Sequence, residues 1–130
     1  PGDELLGGPR PPPGLASDGE TLYVPDWALG TVFAVASDGE VTALASDLSS
    51  PEGLALDGGR LLVVEEGLDR VSAIDLSSGE VTPDVEGLDL GGRIIPHTLP
   101  FGAFKGVAVG PDGSIFVTED VSNTVYEFTR

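Results

Sequence analysis

The chain has 130 residues, 40% of them apolar, and sets 22 acidic side chains against 6 basic ones for a formal net charge of −16. That length carries one modest core, not two independent domains, and the apolar share is too high for a disordered chain. No Cys is present, which excludes disulfides, thiolate zinc sites and a cysteine nucleophile; no apolar run is long enough to cross a bilayer, and so acidic a surface repels nucleic-acid phosphates and anionic lipid.

From the N-terminus, residues 3–6 form a first short segment, followed by a proline- and glycine-rich stretch up to Gly14. Short runs rich in Val, Thr and aromatics then come at 21–24, 31–35 and 40–44, at 60–64, 71–74 and 80–82, and at 114–117 and 125–128. They alternate or are continuously apolar over strand lengths, and no helical period is sustained anywhere, so the expectation is all-β. Between runs lie Ser17-Asp18-Gly19-Glu20, Ser37-Asp38-Gly39-Glu40, Ser77-Ser78-Gly79-Glu80 and Pro111-Asp112-Gly113-Ser114. Asp-Gly flanked by apolar residues is a hairpin signal, and the dipeptide is expected to supply the positive φ values of a tight turn.

The hairpins repeat in larger units. Pro13-Gly14-Leu15-Ala16, Pro51-Glu52-Gly53-Leu54-Ala55 and Lys105-Gly106-Val107-Ala108-Val109 each open a unit, and the marker glycines Gly14, Gly53 and Gly106 stand 39 and 53 residues apart. A period near 40 residues with four short strands per unit describes a propeller blade. The expected layout is blade 1 over 13–46, blade 2 over 51–83, an inserted loop at 84–103 and blade 3 over 104–130. Blade 3 lacks an outer strand, and 3–6 is the candidate to supply one. Three four-stranded antiparallel blades make half of a six-bladed ring, so the partner expected is a second copy of the chain or further blades.

The pattern resembles the NHL and SMP-30/gluconolactonase-like β-propellers. The residues that carry the resemblance are Pro51-Glu52-Gly53-Leu54-Ala55, the stretch Pro111-Asp112-Gly113-Ser114-Ile115-Phe116-Val117-Thr118-Glu119-Asp120, and Ser122-Asn123-Thr124-Val125. The resemblance covers nearly the whole chain outside the loop and implies architecture more than activity, because many functions share the repeat. Lactonases of the SMP-30 type hold a divalent metal with Glu, Asn and Asp. Here the only Asn is Asn123, and Glu52 stands where the resembling strand start has asparagine. These families, with the lack of Met and a start at Pro1, make an extracellular or periplasmic setting the expectation.

Candidate sites follow from register. Glu52 and Lys105 are the charged residues preceding the marker glycines, where innermost strands begin; they are read as ligand-holding groups, or more plainly as partners of each other. Asp26, Glu66 and Asp120 share one register after the second strand of each blade, where a carboxylate typically ties down turn N–H groups. Glu65 and Glu119 lie one residue earlier. Asp26, Glu52, Glu65 and Glu119 are the candidate oxygen ligands of a divalent metal such as calcium. His97, the only histidine, is the candidate acid/base group. Arg93, His97, Lys105 and Trp27 are the candidate contacts to a small polar ligand, with Trp27 offering a wall to a sugar or lactone ring. Two functions compete: a propeller module binding a small polar ligand or a protein partner, and a metal-dependent hydrolase of sugar lactones or esters.

Overall fold

The computed structural model describes residues 14–90, 105–119 and 124–129. Among these residues eleven strands run in order: β1 (Ala16–Ser17), β2 (Leu22–Asp26), β3 (Thr31–Val35), β4 (Val41–Ala45), β5 (Pro51–Asp57), β6 (Arg60–Glu65), β7 (Arg70–Asp75), β8 (Val81–Val85), β9 (Val107–Val109), β10 (Ile115–Glu119) and β11 (Thr124–Phe128). One 3₁₀ turn, Glu66–Leu68, joins β6 to β7. The strands form three antiparallel meanders, β1-β2-β3-β4, β5-β6-β7-β8 and β9-β10-β11. The third sheet has three strands among the described residues. The proposed closing strand at 3–6 lies outside them.

The middle sheet explains why its sequence is continuously apolar. Leu61, Leu62, Val63 and Val64 are all buried, as are Val71, Ala73 and Ile74. Side chains alternate across a strand, so a sheet covered on both faces needs apolar residues at successive positions. Leu61, Val63 and Ile74 join Tyr23, Val32, Ala45, Leu48 and Leu54 in a core shared with the first sheet. Leu62, Val64, Val71 and Ala73 join Leu88, Leu90, Ile115 and Val117 in a core shared with the third. Each fully buried Leu or Val contributes about 1.5–3 kcal/mol.

Glycine sets how closely the innermost strands approach. A methyl group at Gly53 would stand 2.5 Å from the Lys105 carbonyl oxygen and 2.9 Å from Gly106 Cα. One at Gly14 would stand 3.3 Å from the Glu52 carbonyl oxygen. Gly14 and Gly53 are therefore seam residues, present because the next unit's backbone lies against them, whereas a methyl group at Gly106 would meet only Thr118 Oγ1 of its own sheet at 3.3 Å.

The hairpin turns differ from the expectation in one respect. Gly39 and Gly113 have φ of 87° and 84°, whereas their Asp neighbours are absent from the positive-φ residues. Gly39 N–H donates to the Ala36 carbonyl and Ala36 N–H to the Glu40 carbonyl, the pattern of a type I turn closed by a glycine bulge. The Asp is used through its side chain: Asp38 Oδ1 accepts the Glu40 N–H at 2.9 Å, and Asp112 Oδ1 accepts the Ser114 N–H at 3.0 Å.

The segment assigned to an inserted loop at 84–103 begins in regular structure. β8 continues to Val85, with Pro83 tolerated because β8 is an edge strand. Beyond it, Leu88 and Leu90 are buried in the second core, held by Leu88 N–H to the Asp69 carbonyl at 3.0 Å and Leu90 N–H to Asp69 Oδ1 at 3.2 Å.

Candidate functional site

β2 and β6 end, and β5 begins, at one common end of the sheets, so three connections gather there: 27–30, 46–50 and 66–69. They are pinned to one another through backbone. Leu48 N–H donates to the Gly30 carbonyl at 2.9 Å, and the Glu66 and Gly67 N–H groups donate to the Ser50 and Ser49 carbonyls at 3.2 Å each. Between the first two connections lies a cleft of about 580 Å³, lined by Trp27, Ala28, Leu29, Gly30, Asp47, Leu48, Ser49 and Ser50.

Two carboxylates build this end without facing the cleft. Asp26 Oδ1 accepts N–H groups from Ala28 at 3.0 Å and Leu29 at 2.9 Å, closing its own loop. Glu65 is fully buried at the end of β6. Its Oε1 accepts the Ser49 N–H at 2.9 Å, and its Oε2 accepts Arg70 Nε at 2.8 Å and the Ser72 hydroxyl. One carboxylate thus joins the 46–50 connection to β6 and β7.

Glu52, Glu66, Lys105 and Trp27 form a second constellation, contributed by all three sheets. Glu52 and Lys105 are only 1% and 3% exposed. Register reads them as ligand-holding groups or as partners of each other, and here both are buried. Glu52 Oε2 accepts the Lys105 backbone N–H at 2.7 Å. Lys105 Nζ lies 3.5 Å from Glu66 Oε1, and Trp27 Nε1 donates to Glu66 Oε2 at 3.4 Å. Burial pushes the Glu52 carboxyl up to about 9, and a hydrogen bond with the neighbouring Glu66 carboxyl group adds to the rise. The two carboxyl groups share a hydrogen bond, so a proton stands between them, and burial favours it on Glu52. Glu66 thus stands against Glu52, the Trp27 N–H and the Lys105 ammonium in a partly dry site, where charge-assisted contacts are strongest.

The four candidate metal ligands are not brought together. Asp26, Glu65 and Glu52 spend oxygens on protein donors, and Glu119 is buried at the end of β10. Among the described residues no three Asp, Glu or His side chains converge as a metal site. Such a donor set does not fit a divalent ion, which takes several ionised oxygen ligands. His97 and Arg93 lie outside the described residues. Register counting gives Glu66 the loop-tying role that Glu65 performs, and it passes over Asp47, Ser49 and Ser50. The signal for Glu65 is its place one residue before Glu66, where the first unit has Pro25.

No family model matches the chain, and no curated protein matches it. Solved structures do. A structure of the nidogen–laminin complex superposes with a TM-score of 0.70 at 21% identity, over 89% of this chain and 42% of that one. A putative oxidoreductase (glucose dehydrogenase) from Thermus thermophilus gives 0.67 at 20% identity, over 98% and 46%. A gluconolactonase from Xanthomonas campestris gives 0.61 at 23% identity, over 83% and 39%. The similar structures are β-propellers of the SMP-30/gluconolactonase, virginiamycin B lyase and NHL families. This chain has the β-propeller fold, with three consecutive blades present. It spans less than half the length of each of these three structures. Three blades do not close a ring, and closure requires further blades or a partner. Among the described residues no helix is long and apolar enough to cross a membrane.

Proposed function

We propose that the chain belongs to a propeller-type binding module that recognises a small polar ligand in the Trp27 cleft. One observation carries this reading: Asp26, Glu52 and Glu65 each accept protein N–H groups and do not converge, while the same end of the blades leaves about 580 Å³ beside an aromatic ring and two serines. Concave sites with an apolar wall and a few placed polar groups are the usual form of small-ligand pockets. Loops held on a rigid sheet end keep the geometry fixed, which lowers the ordering cost of binding.

Trp27 is the only tryptophan, so its emission reports on the cleft directly. Titration with a panel of small polar compounds, with and without a chelator, is expected to give saturable changes indifferent to the chelator. Sugar-lactone turnover that disappears on chelation and returns with a divalent ion would replace this reading with the metal-dependent hydrolase.

A further inference from the structure

The charge around the cleft narrows its ligand beyond "small and polar", a narrowing that rests on the reading of the cleft as a binding site. Among the described residues, Asp47 is the one charged side chain that lines it. No Lys or Arg among them lines it to neutralise that carboxylate. Asp47 sits in the left-handed backbone region with φ of 58°, which fixes its place on the 46–50 connection.

Trp27 adds to the same preference. Its indole N–H donates to Glu66 Oε2 at 3.4 Å, which holds the ring at this end of the blades. An indole is the best aromatic partner for a cation because its π face is negative. Leu29, 67% exposed, adds an apolar wall able to shed water from a carbon-rich ligand. The formal net charge of −16 draws cations toward the whole surface. A neutral sugar would use the ring and the serines but leave Asp47 without a countercharge. An anion would meet Asp47 and the overall field unfavourably.

The geometry points to the Trp27–Asp47 cleft as a site for a small organic cation, an ammonium or guanidinium group carried on a compact carbon frame. The indole face and the Asp47 carboxylate hold the charge, and Leu29 covers the frame.

Isothermal titration calorimetry of the chain with choline and with its uncharged isostere 3,3-dimethylbutan-1-ol tests this. Choline is expected to bind with one-to-one stoichiometry and the isostere about tenfold more weakly or not at all. Asp47→Asn, which keeps a residue that tolerates the left-handed backbone, is expected to weaken choline about threefold. Trp27→Leu is expected to weaken it about tenfold. Asp38→Asn, in a hairpin at the other end of the first sheet, separates a site from the general field and is expected to leave binding unchanged. Equal binding of choline and its isostere, or equal losses in Asp47→Asn and Asp38→Asn, would overturn the cation assignment while leaving the cleft a binding site. No saturable binding of choline, isostere or any neutral polar compound would overturn both.

Discussion

The first two blades end their second strands in the same register and do opposite things there. In blade 1, β2 ends in Pro25-Asp26 and the innermost strand β1 has only 2 residues. In blade 2, β6 ends in Glu65 with Glu66 next, and its inner neighbour β5 runs for 7 residues, reaching Pro51 opposite Glu65. Proline cannot donate to a ladder, so Pro25 gives blade 1 no N–H hydrogen bond and no side-chain tie at this corner. Asp26 must then close the loop alone. Blade 2 gives the tying role to Glu65, with bonds to Ser49, Arg70 and Ser72. That frees Glu66 to reach out of its own blade to Trp27 and Lys105. A second carboxylate at one corner is what turns a blade end into a junction between blades.

The largest effect expected is at that corner. Glu65→Ala strands Arg70, the Ser72 hydroxyl and the Ser49 N–H together, at a cost of about 4 kcal/mol. Pro25→Ala, the matching change in blade 1, removes no hydrogen bond and should cost less than about 1 kcal/mol. Urea unfolding of both variants measures the difference. Equal losses would show that the two corners carry the same weight and that blade 2 has no special tie.

The two seams are also unequal. Gly53 meets the Lys105 carbonyl oxygen at 2.5 Å from where a methyl group would stand, while Gly14 leaves 3.3 Å to the Glu52 carbonyl oxygen. Both neighbours are backbone and cannot swing aside. Gly53→Ala is expected to cost about 3 kcal/mol and Gly14→Ala about 1 kcal/mol, as overpacking does. Thermal unfolding of the two variants ranks the seams. Reversal of that order would mean the blade 2–blade 3 seam is the looser one.

Legibility in the sequence differs from residue to residue. The run Leu61 to Val64 announces a sheet covered on both faces, and the Asp-Gly turns and marker glycines give the period and hence the propeller. Those signals are local: each rests on strand alternation or a glycine conformation. The glycines are visible as markers before their cause is, because only the packed fold brings Gly53 against Lys105. Leu88 and Leu90 read as loop, since Glu86-Gly87-Leu88-Asp89-Leu90 has no strand partner to suggest burial. Register also cannot say which of Glu65 and Glu66 turns inward. That depends on Arg70 and Ser72 standing across the ladder, a pairing fixed by the hairpin length between β6 and β7.

Two buried glutamates of blade 2 meet opposite surroundings. Glu65 is ringed by donors, including the Arg70 guanidinium. Glu52 faces another carboxyl group, and burial keeps its proton in place up to about pH 9 against an ordinary value of 4.5. Between those two values the folded chain holds a proton that the unfolded chain has released. Stability from Glu52 is therefore complete below about 4.5 and lost as pH rises toward 9. Glu52→Gln removes the titration while preserving both contacts: its amide oxygen can accept the Lys105 N–H and its amide N–H₂ can donate to Glu66. The variant is expected to match the parent near pH 5 and to exceed it by about 2 kcal/mol at pH 8, once relaxation around a buried acid is allowed for. Urea unfolding at the two pH values reads this difference. A gap that stays constant with pH would mean that Glu52 is ionised in the fold, and that the neutral acid bridging Lys105 and Glu66 does not exist.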